Sequence, residues 1–89
     1  MKIILTVTGL DHEGIIAAVT TALAQRKVNI ENLSQTLMQG YFTMILQGSF
    51  DEAGQSITEL QEAMKLVEEE QRVQIMIQSD AIFQAMHTL

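Results

Sequence analysis

Thr8-Gly9-Leu10-Asp11-His12-Glu13-Gly14-Ile15-Ile16 is the stretch in which the hydrophobic period of this 89-residue chain changes. Before it, Lys2 to Thr8 is rich in Ile, Leu, Val and Thr. Ile3, Leu5 and Val7 alternate against Ile4, Thr6 and Thr8, which predicts a strand ending at Gly9. After it, Ile15, Ile16, Val19, Ala22 and Leu23 recur at helical spacing, and Arg26 and Lys27 put positive charge at the expected carboxyl end. The junction is a strand-to-helix loop with an Asp-x-x-Gly-Ile spacing. Asp11 is expected to cap the helix by accepting from its free backbone N–H groups. Gly14 is expected in the first turn, where the missing side chain leaves room for another backbone or a ligand. Open N–H groups at a helix N-terminus with no bulk over them can hold a carboxylate or other small anion. That is binding chemistry, not catalysis.

Outward from this loop the periods alternate again. Val28 to Gln39 reads as a second strand with Val28, Ile30, Leu33, Leu37 and Met38 as its apolar members. Its alternation slips between Ile30 and Leu33, which predicts a bulge near Asn32. Gln39-Gly40 is a tight-turn signal, and Tyr41 to Phe50 is a third strand that closes a hairpin. Asp51 is expected to cap a second helix running to about Gln71, with Ile57, Leu60, Met64 and Val67 as its apolar stripe. Glu68, Glu69 and Glu70 crowd its carboxyl end, where negative charge is unfavourable; they read as a solvated acidic end rather than a divalent-cation site. Val73, Ile75 and Ile77 alternate in a fourth strand. The order βαββαβ predicts an α+β, ferredoxin-like domain over residues 1–79: a four-stranded antiparallel sheet with both helices on one face. The opposite face then carries Ile4, Thr6, Tyr41, Thr43, Ile45 and Met76, too apolar to stand open on a small monomer. The tail, residues 80–89, offers a cover. Asp80 is expected to cap a short helix with Ile82, Phe83, Met86 and Leu89 in one stripe, docked on a sheet face of its own chain or of a second copy.

Composition narrows the chemistry. Eleven Asp and Glu against five Lys and Arg give a net charge of −6, which repels phosphate backbones and disfavours nucleic acid. No Cys is present, so disulfides, thiolate chemistry and sulfur-ligated metal centres are excluded. The amino-terminal apolar run is too short for a signal-peptide core, no segment is long enough to span a bilayer, and a cytoplasmic protein is expected. Among ferredoxin-like proteins, heavy-metal carriers need two cysteines in the first loop. Acylphosphatases need an arginine there, where this chain has Asp11 and Glu13. RNA binders need stacking aromatics and a basic surface. Asp11, His12 and Glu13 can each ligate a metal, but three consecutive side chains rarely converge on one ion. His12 and His87 lack a Ser or Asp partner at catalytic spacing, so a hydrolase built on Asp11 and His12 ranks last, and no cofactor is expected.

Two segments carry a resemblance to a known family: Gly9-Leu10-Asp11-His12-Glu13-Gly14-Ile15 and Lys27-Val28-Asn29-Ile30-Glu31-Asn32-Leu33. Over residues 1 to about 79 the chain resembles the ACT domain, a small-molecule-sensing module often attached to enzymes of amino-acid metabolism. His12 stands where that family often has a basic residue, and Glu13 replaces its proline. The tail run Ile82-Phe83-Gln84-Ala85-Met86-His87 is similar to that of free-standing bacterial ACT proteins. The resemblance implies a non-enzymatic homodimer that binds an effector, an amino acid, between the first loop and the start of a second strand, and that acts on a partner enzyme or regulator. The implied site is Leu10, Asp11, His12, Gly14, Ile15, Asn29 and Ile30, with Asn29 from the same or the neighbouring subunit. Asp11 would meet the ligand ammonium and the N–H groups around Gly14 its carboxylate. The competing reading is an interaction module with no effector.

Overall fold

The period-two alternation of the first strand buries Ile3, Leu5 and Val7 under two helices and turns Ile4 the other way. A computed structural model describes residues 1–87. Its elements are β1 (Lys2–Leu10), α1 (Ile15–Gln25), β2 (Asn29–Met38), β3 (Tyr41–Ser49), α2 (Ile57–Gln71), β4 (Val73–Ser79) and α3 (Asp80–His87). The four strands form one sheet in the order β2-β3-β1-β4, antiparallel at every pairing. This is the ferredoxin-like arrangement expected from the sequence. The core is closed by Ile15, Val19 and Leu23 of α1, Leu60 and Met64 of α2, and the inward Phe42, Met44 and Leu46 of β3.

Most element boundaries agree with the hydrophobic pattern. Gln39 (φ 51°) and Gly40 (φ 83°) both take left-handed backbone in a two-residue turn that matches the twist of the hairpin. The pairing of β2 with β3 shifts register between Ile30 and Asn32, the expected bulge. Three expectations are corrected. Gly9 does not stop β1, which continues to Leu10; a Cβ on Gly9 would lie 2.9 Å from Val73 Cγ1, so the glycine lets β1 and β4 pass closely. Asp51 does not cap α2. Its carboxylate accepts from Ala53 N–H in a local turn, while Ser56 caps with a reciprocal box to Glu59, because Ser-x-x-Glu satisfies two orphan groups at once. Asp80 likewise gives way to Ser79, whose Oγ accepts from Ile82 N–H.

α3 lies against β1 and β4 of its own chain. It rests on the face opposite α1 and α2: Ile4, which takes no part in the core, is only 3% exposed, and Gln78 Nε2 donates to Met86 Sδ at 3.3 Å. The expected tail stripe is only partly turned inward. Phe83 is half-buried, Ile82 and Met86 are exposed, and Leu89 lies outside the described residues. A two-turn helix on a flat sheet presents little more than one side chain per turn to it. Tyr41 and Ile45, over the β3 half of the same face, remain exposed.

The two sheet edges differ. Along β4, Glu68 Oε2 accepts from Ile75 N–H at 2.6 Å and Gln61 Nε2 donates to Ile77 C=O at 2.9 Å, so α2 side chains occupy the outward backbone of that strand. Glu68 is therefore not a merely solvated acid. The chain turns back through a left-handed Arg72 (φ 56°) and runs β4 directly beside α2. Outward and inward backbone alternate along a strand. Carried through the register Ile75–Val7–Met44–Gln35, that alternation turns the backbone of Leu33, Gln35 and Leu37 outward on β2. Glu68→Ala is expected to cost about 1–2 kcal/mol in urea unfolding and to speed exchange of the Ile75 amide, while Glu68→Gln keeps an acceptor and loses less. Unchanged Ile75 exchange in the alanine variant would show that the carboxylate does not hold that amide.

Candidate functional site

The loop between β1 and α1 is anchored at three points. Asp11 N–H donates to Gly40 C=O at 2.9 Å, tying the loop to the β2–β3 turn. His12 bridges two backbone carbonyls: Nδ1 lies 2.9 Å from the oxygen of Glu13, and Nε2 lies 2.7 Å from that of Gln71, the last residue of α2. Ile15 is 2% exposed and plants the start of α1 in the core.

Gly14, not Asp11, stands at the N-cap of α1, and no side chain caps the helix. Asp11 is held away from that position because its amide is committed to Gly40. The reason for Gly14 also differs from the one expected. No atom lies within 4 Å of where its Cβ would be, so close approach does not require the glycine; its backbone does, at φ 92°, ψ −2°. The result is a helix N-terminus with neither a capping side chain nor bulk above it. Next to this terminus are an exposed carboxylate, Asp11, and an exposed imidazole, His12. The His12 pKa is raised above its ordinary value near 6.5, chiefly by the Gln71 carbonyl and then by that of Glu13; desolvation opposes this, Asp11 adds to it and Arg72 opposes it. Both ring nitrogens of His12 are turned to backbone carbonyl oxygens rather than to another potential metal ligand. Among the described residues no three acidic, His or Cys side chains converge as metal ligands.

The expected site divides. Leu10, Asp11, His12, Gly14 and Ile15 are contiguous, although Ile15 can offer only its backbone. Asn29 and Ile30 are elsewhere. β1 and β2 are both antiparallel to β3 and so run the same way. Asn29 opposite Ser49 is therefore level with Lys2, whereas the loop follows Leu10 at the other end. Eight residue steps separate those levels, about 26 Å. Asn29 of the same chain does not reach the loop. At the loop's own end the open sheet face carries the cross-strand row Leu10, Tyr41 and Met38, exposed by 64%, 62% and 67%. Leu10 belongs to the expected site; Gly40, Gln71, Tyr41 and Met38 escaped the sequence reading as neighbours of the loop, because each meets it only through pairing across the sheet or from the end of a distant helix.

Element order, sheet and helix placement define a ferredoxin-like α+β domain. A family model described as the ACT domain matches residues 2–78, and the chain belongs to the ACT domain family. It is 56% identical over 89 residues to a UPF0237 protein of Corynebacterium glutamicum, covering 100% of both chains. It is 42% identical to the solved ACT domain protein from Streptococcus pneumoniae, with a TM-score of 0.83 and 94% of either chain covered. The regulatory subunit of aspartate kinase from Thermus thermophilus aligns with a TM-score of 0.69 and 25% identity, over 89% of this chain and 51% of that one. The ACT fold is found in regulatory ligand-binding proteins. No helix among the described residues is long and apolar enough to cross a membrane.

Since backbone conformation, not crowding, demands Gly14, Gly14→Ala should lower stability by about 1–2 kcal/mol, and Gly14→Asn by less, because Asn tolerates the left-handed region. Urea midpoints check this; equal stability of the alanine variant and the parent would mean the loop does not need positive φ.

Proposed function

We propose that this chain is a cytoplasmic, non-enzymatic regulatory domain that binds an amino acid at a site completed by a second copy of itself and transmits that binding to a partner enzyme or regulator. The observation that carries the reading is the separation of the two candidate segments. Asp11–Gly14 and Asn29–Ile30 sit at opposite ends of the sheet, on strands that run the same way. Two copies related by a two-fold axis with their β2 strands paired antiparallel bring the beginning of one β2 beside the end of the other. Asn29 of the partner subunit then approaches the first loop. The β4 edge is occupied by Glu68 and Gln61, and the β2 edge is exposed and lacks Pro, Lys and Arg, the residues that commonly blunt an edge.

In such a site the uncapped amides at Gly14 and Ile15 hold a carboxylate, Asp11 accepts from an ammonium, and Asn29 of the partner subunit bridges the two. Leu10 and Ile30 of the partner subunit supply apolar walls, and His12 adds positive charge on the carboxylate side. A ligand with both charges on neighbouring carbons fits this set. Residues 1–79 form the binding unit in this reading, and the tail helix covers the β1–β4 side of the face opposite the core.

A thermal-shift panel of the twenty amino acids tests the ligand. Binding at 100 times the dissociation constant adds about 2.7 kcal/mol of stability, and one or a few members should raise the melting temperature. A flat panel with an intact dimer favours an interaction module instead, for which the exposed Leu10, Tyr41 and Met38 row is the surface. Assembly is tested separately by Gln35→Pro, which removes an outward amide of β2 without breaking its ladder to β3. Sedimentation should show a dimer for the parent and a folded monomer for the variant; a dimeric variant would overturn pairing through β2.

A further inference from the structure

We propose that His12 is a pH-operated latch, closed when its ring is doubly protonated, that holds the β1–α1 loop against the carboxyl end of α2 and so sets how well the loop binds a carboxylate. The link to binding rests on the function proposed above; the latch itself rests on geometry alone.

Both contacts of the ring are with groups that can only accept. Carbonyl oxygens have no proton to give, so the 2.9 Å contact of Nδ1 with Glu13 and the 2.7 Å contact of Nε2 with Gln71 each need an N–H on the ring. Only the imidazolium has two. A neutral ring keeps one of these bonds and turns a lone pair toward the other oxygen, so one contact becomes repulsive. The closed loop is thus a proton-binding arrangement.

Its surroundings favour the charge. Gln71 ends α2, where the last carbonyls lack intrahelical partners and carry the negative end of the helix dipole. Among charged groups, Asp11 on the loop favours the imidazolium and Arg72, just past α2, opposes it. Glu13 adjoins His12 in the loop, and Glu68, Glu69 and Glu70 occupy the last turn of α2. The bonds raise the folded pKa above about 6.5, so the sign follows. The latch contributes fully below the ordinary histidine value, and its contribution is lost as pH rises through the higher folded value.

The latch bears on the candidate site because the His12–Gln71 contact ties the middle of the loop to α2. When His12 lets go of Gln71, the loop loses its link to α2 and keeps the Asp11–Gly40 bond at one end and the Gly14 carbonyl, which accepts from Ala18 N–H, at the other; a positive charge also disappears beside the uncapped amides. A carboxylate ligand should therefore bind more weakly at alkaline pH and take up a proton when it binds on the alkaline side.

The test is an NMR titration of the full chain carrying His87→Gln, which leaves one imidazole. The His12 ring should titrate above 6.5, and the backbone amides of Asp11 to Gly14 and of Arg72 should shift on the same curve. His12→Lys should abolish the loop shifts across that range, and His12→Gln, neutral at every pH, should hold the loop amides at their high-pH positions. A His12 midpoint at or below 6.5, or loop amides indifferent to it, overturns the latch. Repeating the amino-acid panel at about pH 6 and about pH 8.5, on either side of the usual histidine range, reads its consequence. Larger melting shifts at the lower pH in the parent, and equal shifts in His12→Lys, support control of binding. Equal shifts in the parent overturn that control. Loop titration as expected with a flat panel at both pH values leaves the latch standing and removes only the amino-acid reading.

Discussion

β1 is paired along its whole length with β3 on one side and from Ile3 to Gly9 with β4 on the other, and its Ile3, Leu5 and Val7 are wholly buried between the sheet and the two helices. Full burial of each such side chain is worth about 1.5–3 kcal/mol before ordering costs are counted. The strand cannot slip by one residue without exchanging this row for Ile4, Thr6 and Thr8. That register in turn decides which residues of β3 and β4 face the helices. It also decides where each crossover helix must begin and which end of the sheet receives the loop.

The same central strand makes the molecule asymmetric. Because β1 is flanked on both sides, the exposed edges fall on β2 and β4, and their chemistry differs. α2 lies alongside β4 and reaches it with the half-buried Glu68 and the exposed Gln61, which satisfy outward backbone positions. Among the described residues no helix side chain is shown bonding to the outer edge of β2. On the sheet's other face α3 shelters Ile4 above β1 and β4 and leaves Tyr41 and Ile45 exposed. Both the open edge and the open half-face therefore lie on the β2–β3 side, and an assembly that extends the sheet meets them together.

The β1–α1 loop gains its shape from neighbours distant in sequence. Gly40 receives the Asp11 amide, and the carboxyl end of α2 receives His12. With those contacts made, the amino end of α1 can remain uncapped at Gly14, a state a helix normally avoids by recruiting a side chain. Uncapped N–H groups next to Asp11 and His12 give the loop a donor set and both signs of charge within a few residues.

Periodicity in the chain determined the element types, the hairpin, the bulge near Asn32 and the layout of two helices on one face, because a half-buried strand or helix must repeat its apolar residues at its own geometric period. The residue types also determined what the loop could offer a ligand. Local spacing misjudged the caps: Ser56 lies in a readable Ser-x-x-Glu box that outcompetes Asp51, and Asp11 is drawn away from α1 by Gly40. Only the tertiary structure decided that Asn29 stands about 26 Å from the loop, since strand direction depends on the sheet order and not on the composition of either segment. It alone brought Glu68 to Ile75 and His12 to Gln71, 59 residues away. Backbone donors and acceptors are the same at every position, so the chain carries no local mark of which ones a distant side chain will find.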